Sequence, residues 1–205
     1  MLIRILERYD VLGVGVDSSA DSLAEAQRRA AGRIETSRLQ LVEADAQEYA
    51  FEPGSFELVI CMGASHAFGL GGDAVERAIG RMARIAADGG LALLADGYLK
   101  RNKPDEYRKY VGDEVPDDLT HAAIIQMGRD AGLTPLAAWT STVDEWDEFE
   151  WGYQRIFERK ANEQPADPSR QEKLARRRDW MDAYVKWGRD TLGYGTYLFM
   201  KPQNG

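Results

Sequence analysis

Apolar residues fall along this chain in short unbroken runs that alternate with stretches where they recur every three or four positions. Leu2, Ile3, Ile5, Leu6 and Tyr9, interleaved with Arg4, Glu7 and Arg8, predict one buried helix face that begins without a capping residue. The run Val11 to Val16 (VLGVGV) is too short for a buried helix and predicts a strand ending at Asp17. Beyond it, Leu23, Ala26, Ala30 and Ala31 keep helical spacing, with Ser19 or Asp21 as the cap. Leu39 to Val42 predicts a second strand, closed by Glu43-Ala44-Asp45-Ala46, and Phe56 to Met62 a third, running into Gly63-Ala64-Ser65 and His66. Ala74 to Ala86 reads as helix, and Asp88-Gly89-Gly90 turns the chain into a fourth strand, Leu91 to Ala95, ending at Asp96. This alternation predicts an α/β fold with a parallel sheet and helices on both faces.

The second half has a different rhythm. After Gly97-Tyr98, the polar segment KRNKPDEYRKYVGDEVPDD predicts a loop with one short helix. Leu119 to Ala131 predicts a helix, Leu133 to Val143 a strand, and Gly195 to Met200 the last strand. Between these strands lie two long helical patterns, Asp144 to Asn162 and Pro168 to Asp190, separated by EQPADP. Their aromatic spacing (Trp146, Phe149, Tyr153, Phe157; Trp180, Tyr184, Trp187) suits helices with one buried face.

Composition narrows the function. With 205 residues and 44% apolar content, one domain with a substantial core is the expectation. A net charge of −8 and a pI near 4.9 argue against nucleic acid and anionic membranes as partners. The single Cys61 excludes an intrachain disulfide and Cys-based zinc sites, and suits a reducing cytoplasm. No segment reaches the roughly 18 apolar residues of a membrane span, and Glu7 and Asp10 interrupt any signal-peptide pattern.

The candidate chemistry begins at the strand tips. In open α/β sheets ligands bind beyond the carboxyl ends of strands, and an acid there accepts both hydroxyls of a ribose, which makes Asp17 a nucleotide-binding candidate. The alternative is that Asp17 only caps the helix behind it. Gly13 and Gly15 do not make a phosphate loop: Ser18 stands where a third glycine would be, and both glycines lie inside the apolar run.

Three segments together, GVGVDSS with its helix, LVEADAQEYAFEPGSFELVICMGASHAFG, and RMARIAADGGLALLADGY, resemble the class I S-adenosylmethionine-dependent methyltransferases, in particular the UbiE-like small-molecule group. The resemblance implies a Rossmann-like sheet, mostly parallel with an antiparallel last strand, and S-adenosylmethionine as cofactor. It implies that Asp17, with Ser18, binds the ribose, that Asp45 and Ala46 hold the adenine, and that Met62 and Gly63 lie against the methionine part. Members of the family begin with a strand and a glycine-rich loop that nothing ahead of Asp17 supplies; the expectation is therefore an N-terminally incomplete methyltransferase domain over residues 1–205. A diverged sheet closed by a partner chain is the alternative.

In the family the last two strands form an antiparallel hairpin whose connection lies at the cofactor end. The resemblance thus implies that the insertion at 144–190 is a substrate lid or pocket wall, although aromatic stripes at helical spacing also serve simple packing. His66, just past the cofactor-proximal turn, is the candidate general base, or else packs on the cofactor. His121, at the start of a helical run, reads as structural. Arg176-Arg177-Arg178 reads as an anion site or a solvated helix face. The acidic, aromatic run Asp144 to Trp151 suits an amine-bearing acceptor through charge and cation–π contact, or again a solvated face. The expected partners are a small-molecule acceptor and, as a candidate assembly, a homodimer; no metal, nucleic acid or membrane is expected. Two other classes stay open: a dehydrogenase-like dinucleotide binder, which Asp45 at a second strand tip disfavours, and a non-catalytic nucleotide-binding or scaffold protein without the glycine loop.

Overall fold

The structure, a computed structural model, describes residues 1–112 and 115–203. The chain divides into two compact units, Met1–Phe51 and Glu52–Gly205. Among the described residues no helix is long and apolar enough to cross a membrane.

The first unit holds α1 (Leu2–Arg8), β1 (Gly13–Asp17), α2 (Ala20–Ala30) and β2 (Leu39–Glu43). β1 and β2 are parallel, in register from Gly13 opposite Leu39 to Asp17 opposite Glu43. The glycines of β1 serve packing, because a Cβ on Gly13 would stand 2.8 Å from Leu2 Cδ1 and 3.2 Å from Leu6, so α1 lies directly on the strand. Leu6 is completely buried there. Arg33 closes α1 to the end of α2 through two bonds to Glu7, at 2.7 and 2.8 Å. The Arg38 guanidinium donates to the carbonyls of Leu6, Tyr9 and Val11, giving acceptors at the end of α1 the donors that the helix itself lacks.

The second unit is a four-stranded sheet in the order β3-β4-β6-β5, built from β3 (Phe56–Met62), β4 (Ala86–Leu99), β5 (Thr134–Thr140) and β6 (Leu192–Met200). β3 runs parallel to β4, and β6 runs antiparallel to both β4 and β5. α3 (Ala74–Ile85) buries Ala74, Val75, Ala78, Ile79, Met82 and Ile85, a single helical face. Its Val75, Ile79 and Met82 share a core with Leu94, Ile124, Tyr197 and Phe199. α5 (His121–Asp130) starts at its cap Thr120 rather than at Leu119, and sits so close that a Cβ on Gly128 would fall 2.2 Å from Phe199.

Three expectations are corrected, two of them by pairing that is remote in sequence. β4 does not end at Ala95 but continues through Asp96, Gly97 and Tyr98 to Leu99, because β6 pairs along it from Met200 opposite Leu91 to Leu192 opposite Leu99. The last strand correspondingly begins at Leu192, three residues before Gly195. The segment Leu133 to Val143 holds a shorter strand, since Thr142 leaves the sheet to cap α6 (Val143–Glu163) in a reciprocal box with Glu145. α4 (Asp105–Val111) is the short helix of the polar loop. α7 (Pro168–Ala183) is followed by a π turn over Tyr184–Gly188 and one last helical turn, Arg189–Thr191. Gly188 lies against buried Tyr107, where a Cβ would meet the hydroxyl at 2.5 Å.

Candidate functional site

In the first unit, four of the sequence candidates meet at the carboxyl ends of β1 and β2. The ladder continues one step past the strands through Ala44 N–H to the Asp17 carbonyl, 3.1 Å, which holds Asp17 beside Asp45. Asp17 Oδ1 accepts from Ser19 N–H at 2.8 Å. Ser19, not Asp17, caps α2, its hydroxyl accepting from Ser22 N–H at 3.2 Å. Asp17 therefore fixes the turn that delivers the cap. Its other oxygen, Oδ2, meets no protein donor among the described residues, and Asp17 and Ser18 are exposed. Asp45 uses the same device, with Oδ1 accepting from Gln47 N–H at 2.8 Å and its carbonyl accepting from Tyr49 N–H, which leaves Ala46 half-buried in the turn.

In the second unit, Met62, Gly63 and His66 form the turn that leaves β3. Gly63 takes φ +61°, the left-handed region where a side chain is strained, and its N–H donates to the Ala95 carbonyl at 2.6 Å. Tyr194 reaches the same carbonyl with its hydroxyl at 3.3 Å, and a Cβ on Gly63 would meet that hydroxyl at 3.3 Å. Asp96 anchors the next residues, Oδ1 accepting from Gly97 N–H at 2.7 Å and Oδ2 from Ser65 N–H at 3.4 Å. Burial, with the Asp96 charge nearby, pushes the Cys61 thiol up to about 11 and the Tyr194 phenol up to about 12. Neither ionises near neutral pH, so Cys61 is no nucleophile. His66 is exposed on a 3-10 turn, Ser65–Phe68. Arg77 holds the following loop by donating to the carbonyls of Phe68 at 3.1 Å and Leu70 at 2.8 Å.

The insertion enters at this end of the sheet. Thr140 of β5 lies opposite Gly195, Gly195 opposite Asp96, and the neighbouring Ala95 opposite Met62. α6 begins within three residues of Thr140 and brings Trp146 to 5.4 Å from the Tyr194 ring, with Phe149 and Tyr153 following at 5.8 and 5.0 Å. An aromatic row thus leads from the Gly63 turn along α6. The indole Nε1 of Trp146 is buried without an acceptor among the described residues.

The charged runs are engaged within the chain. Arg177 donates to Glu150 Oε2 at 2.7 Å and to its carbonyl, and Trp180 Nε1 donates to the same carboxylate at 2.9 Å. Arg178 forks onto Glu158 with two bonds of 2.7 Å, and Arg176 pairs with Glu172. Of the acids in α6, Glu145 closes the capping box, Asp147 accepts from Tyr184 and Arg189, and Glu148 pairs with Arg155. Within the arginine run, Arg176 therefore sits on the solvated face of α7, while Arg177 and Arg178 are engaged by α6. These two tie α7 to α6. His121 Nδ1 lies 3.0 Å from the Tyr197 hydroxyl against the Tyr98 ring, a partnered core position.

Tyr194, Asp96 and Arg77 are the site-building residues that sequence reasoning missed. The signal for Tyr194 lay in the alternation Gly193-Tyr194-Gly195: those glycines leave room for the Tyr98 and Tyr197 rings, which a Cβ would meet at 2.4 and 2.3 Å.

Residues 1–90 match a family profile described as a methyltransferase domain. A methyltransferase from Geobacter sulfurreducens, crystallised with S-adenosylhomocysteine, superposes with a TM-score of 0.81 at 21% identity, covering 98% of this chain and 79% of that one. YjhP from E. coli gives 0.82 at 24% identity, covering 98% and 81%. A methyltransferase from Thiobacillus denitrificans, also with S-adenosylhomocysteine, gives 0.80 at 20% identity, covering 98% and 79%. The chain has the fold of these methyltransferases. No curated protein matches it in sequence. Within this Rossmann-like fold, β6 is antiparallel as the family resemblance implied, and the helical pair lies before it as the spacing predicted.

Proposed function

We propose that the chain transfers a methyl group from S-adenosylmethionine to a small-molecule acceptor, as a UbiE-like class I methyltransferase. The observation that carries the reading is the placement of Asp17 and Asp45 at the carboxyl ends of two adjacent parallel strands, inside the segment that matches a methyltransferase domain. The residues fit such a cofactor: Asp17 Oδ2 has no protein donor among those described, and Gly63 presents backbone without a side chain. In this reading Asp17 and Ser18 bind the ribose, Asp45 and Ala46 the adenine, and Met62 and Gly63 the methionine part. When bound, S-adenosylmethionine supplies a methyl group already activated on a sulfonium.

The protein's own work is then alignment and exclusion of water, worth about 7–11 kcal/mol when the geometry is good. Trp146 and Tyr194 form the acceptor wall, and the helical pair at 144–190 acts as its lid. The Trp146 indole N–H seeks an acceptor atom on the small molecule. The acids of α6 that are paired internally give no free charge for a cationic acceptor, so an amine is not preferred over an oxygen or carbon nucleophile. His66, exposed beside the Gly63 turn, takes the proton when the acceptor carries one at neutral pH. A cytoplasmic location is part of the same reading.

β1 and β3 each pair along one edge only among the described residues. Like β2 and β5, each leaves backbone donors and acceptors along its other edge. The edge observation favours the second reading, a nucleotide-binding or scaffold protein without catalysis. Calorimetry with S-adenosylmethionine and with NAD, on this chain and on an N-terminally extended form, followed by a labelled-methyl screen of small metabolites, separates the readings. Binding of S-adenosylmethionine with transfer of label supports the enzyme. Binding without transfer to any acceptor supports the scaffold, and binding of NAD alone overturns both assignments of the cofactor.

A further inference from the structure

The outward face of α6 has a use that methyl transfer does not require. Gly152 sits in the middle of this 21-residue helix, where glycine costs roughly 0.5–1 kcal/mol against alanine. Nothing among the described residues calls for it: φ is not positive, and a Cβ there would meet only the Arg155 guanidinium, at 3.8 Å. Gly152 forms the floor of an open groove of about 570 Å³ lined by Glu148, Phe149, Arg155, Ile156 and Arg159. Phe149 is 54% and Ile156 39% exposed, large apolar groups left in water on a helix whose opposite face is buried on α7.

The order of residues about Gly152 is self-complementary. Residues three, four and seven positions away share its face: Glu145, Glu148 and Phe149 on one side, Arg155, Ile156 and Arg159 on the other. We propose that this face binds a second copy of the chain, with two α6 helices packed antiparallel and crossing at Gly152. A two-fold axis there sets Glu145 against Arg159 of the second copy, and the pair Glu148-Phe149 against Arg155-Ile156 of the second copy. Every charge then meets its opposite, the apolar groups meet each other, and the missing Cβ lets the backbones approach. In the single chain Arg155 folds back to Glu148 at 2.5 Å, with side chains 61% and 74% exposed. Such a pair contributes about 0–1 kcal/mol, so exchanging it for the same pair between copies costs little. The inference is independent of the proposed activity.

Sedimentation velocity on the 205-residue chain tests it. The wild type sediments as a dimer in the micromolar range, and raising the salt weakens that dimer through the charged contacts. Glu148→Arg alone and Arg155→Glu alone each place like charges across the axis and weaken association by about tenfold or more. Their equimolar mixture restores both opposite-sign contacts and forms the dimer again. Gly152→Leu also gives monomer, with helix content by circular dichroism unchanged. A wild type that stays monomeric overturns the proposal. So does a dimer indifferent to salt and to Gly152→Leu, or a mixture of the charge variants that does not reassociate.

Discussion

Asp17 and Asp45 each engage one carboxylate oxygen on a backbone N–H two residues ahead and remain exposed, whereas Asp147 and Glu150 of α6 are drawn into side-chain contacts with α7 and the turns after it. By composition the acidic run of α6 looks the better candidate to bind a positive ligand. By structure it is the worse one, because Asp147, Glu148 and Glu150 are already engaged by Arg155, Arg177, Arg189, Tyr184 and Trp180. A strand tip ends where the ladder ends, so its side chain bonds only to the turn just ahead and has room beyond it. A helix packed on another helix presents its acids to that neighbour.

The sharpest way to break this comparison is Glu150→Ala. Glu150 is buried and Arg177 nearly so, and removing the carboxylate strands a charge; the expected loss is about 3–5 kcal/mol of stability by denaturant unfolding. In a cofactor-binding form of the chain, affinity measured where the variant is folded should be unchanged. An effect on affinity without one on stability would reverse the roles assigned to the two regions.

Asp17→Ala should do the opposite, weakening S-adenosylmethionine binding by about 1.5–3 kcal/mol in calorimetry while leaving unfolding close to wild type, since Ser19 supplies the helix cap. Collapse of the fold instead would make Asp17 a structural residue. Asp45→Ala should weaken binding in the same direction but less, because backbone groups of the turn at Ala46 remain in place.

The smallest effect is one of pH. The Tyr184 hydroxyl, and after it Arg189, hold the Asp147 carboxyl below its ordinary value of 3.8. A group whose pKa is lower in the folded state stabilises it above the unfolded value, and that contribution is lost as pH falls from about 3.8 through the lower folded value. Asp147→Asn should therefore cost about 1 kcal/mol at pH 7 and remove this share of the acid sensitivity, as read from thermal unfolding between neutral pH and pH 3.

Much of the fold and of the site was legible because the signals are local. VLGVGVD followed by a Ser-capped helix, and FELVICM followed by a glycine turn, each place a tip and its side chains within a few residues. The antiparallel last strand followed from the methyltransferase likeness rather than from residue spacing. The partners of the arginine run were not legible. Arg177 reads as a solvated or ligand-binding cation until α7 lies against α6 and Glu150 is found buried beside it.

By itself, the amino-acid sequence determined where strands and helices lie, where Asp17, Asp45 and Gly63 fall at their ends, and which faces are apolar, since period, caps and turn residues act over a few positions. Tertiary structure alone decided that β4 extends to Leu99, that Gly13 admits Leu2, that Tyr194 returns to the Gly63 turn, and that Asp147, Glu150 and Glu158 of α6 are met by residues of α7 and beyond. Those outcomes depend on strand register and helix packing, which bring together residues far apart in the chain, and no local pattern encodes which of many compatible partners will be met.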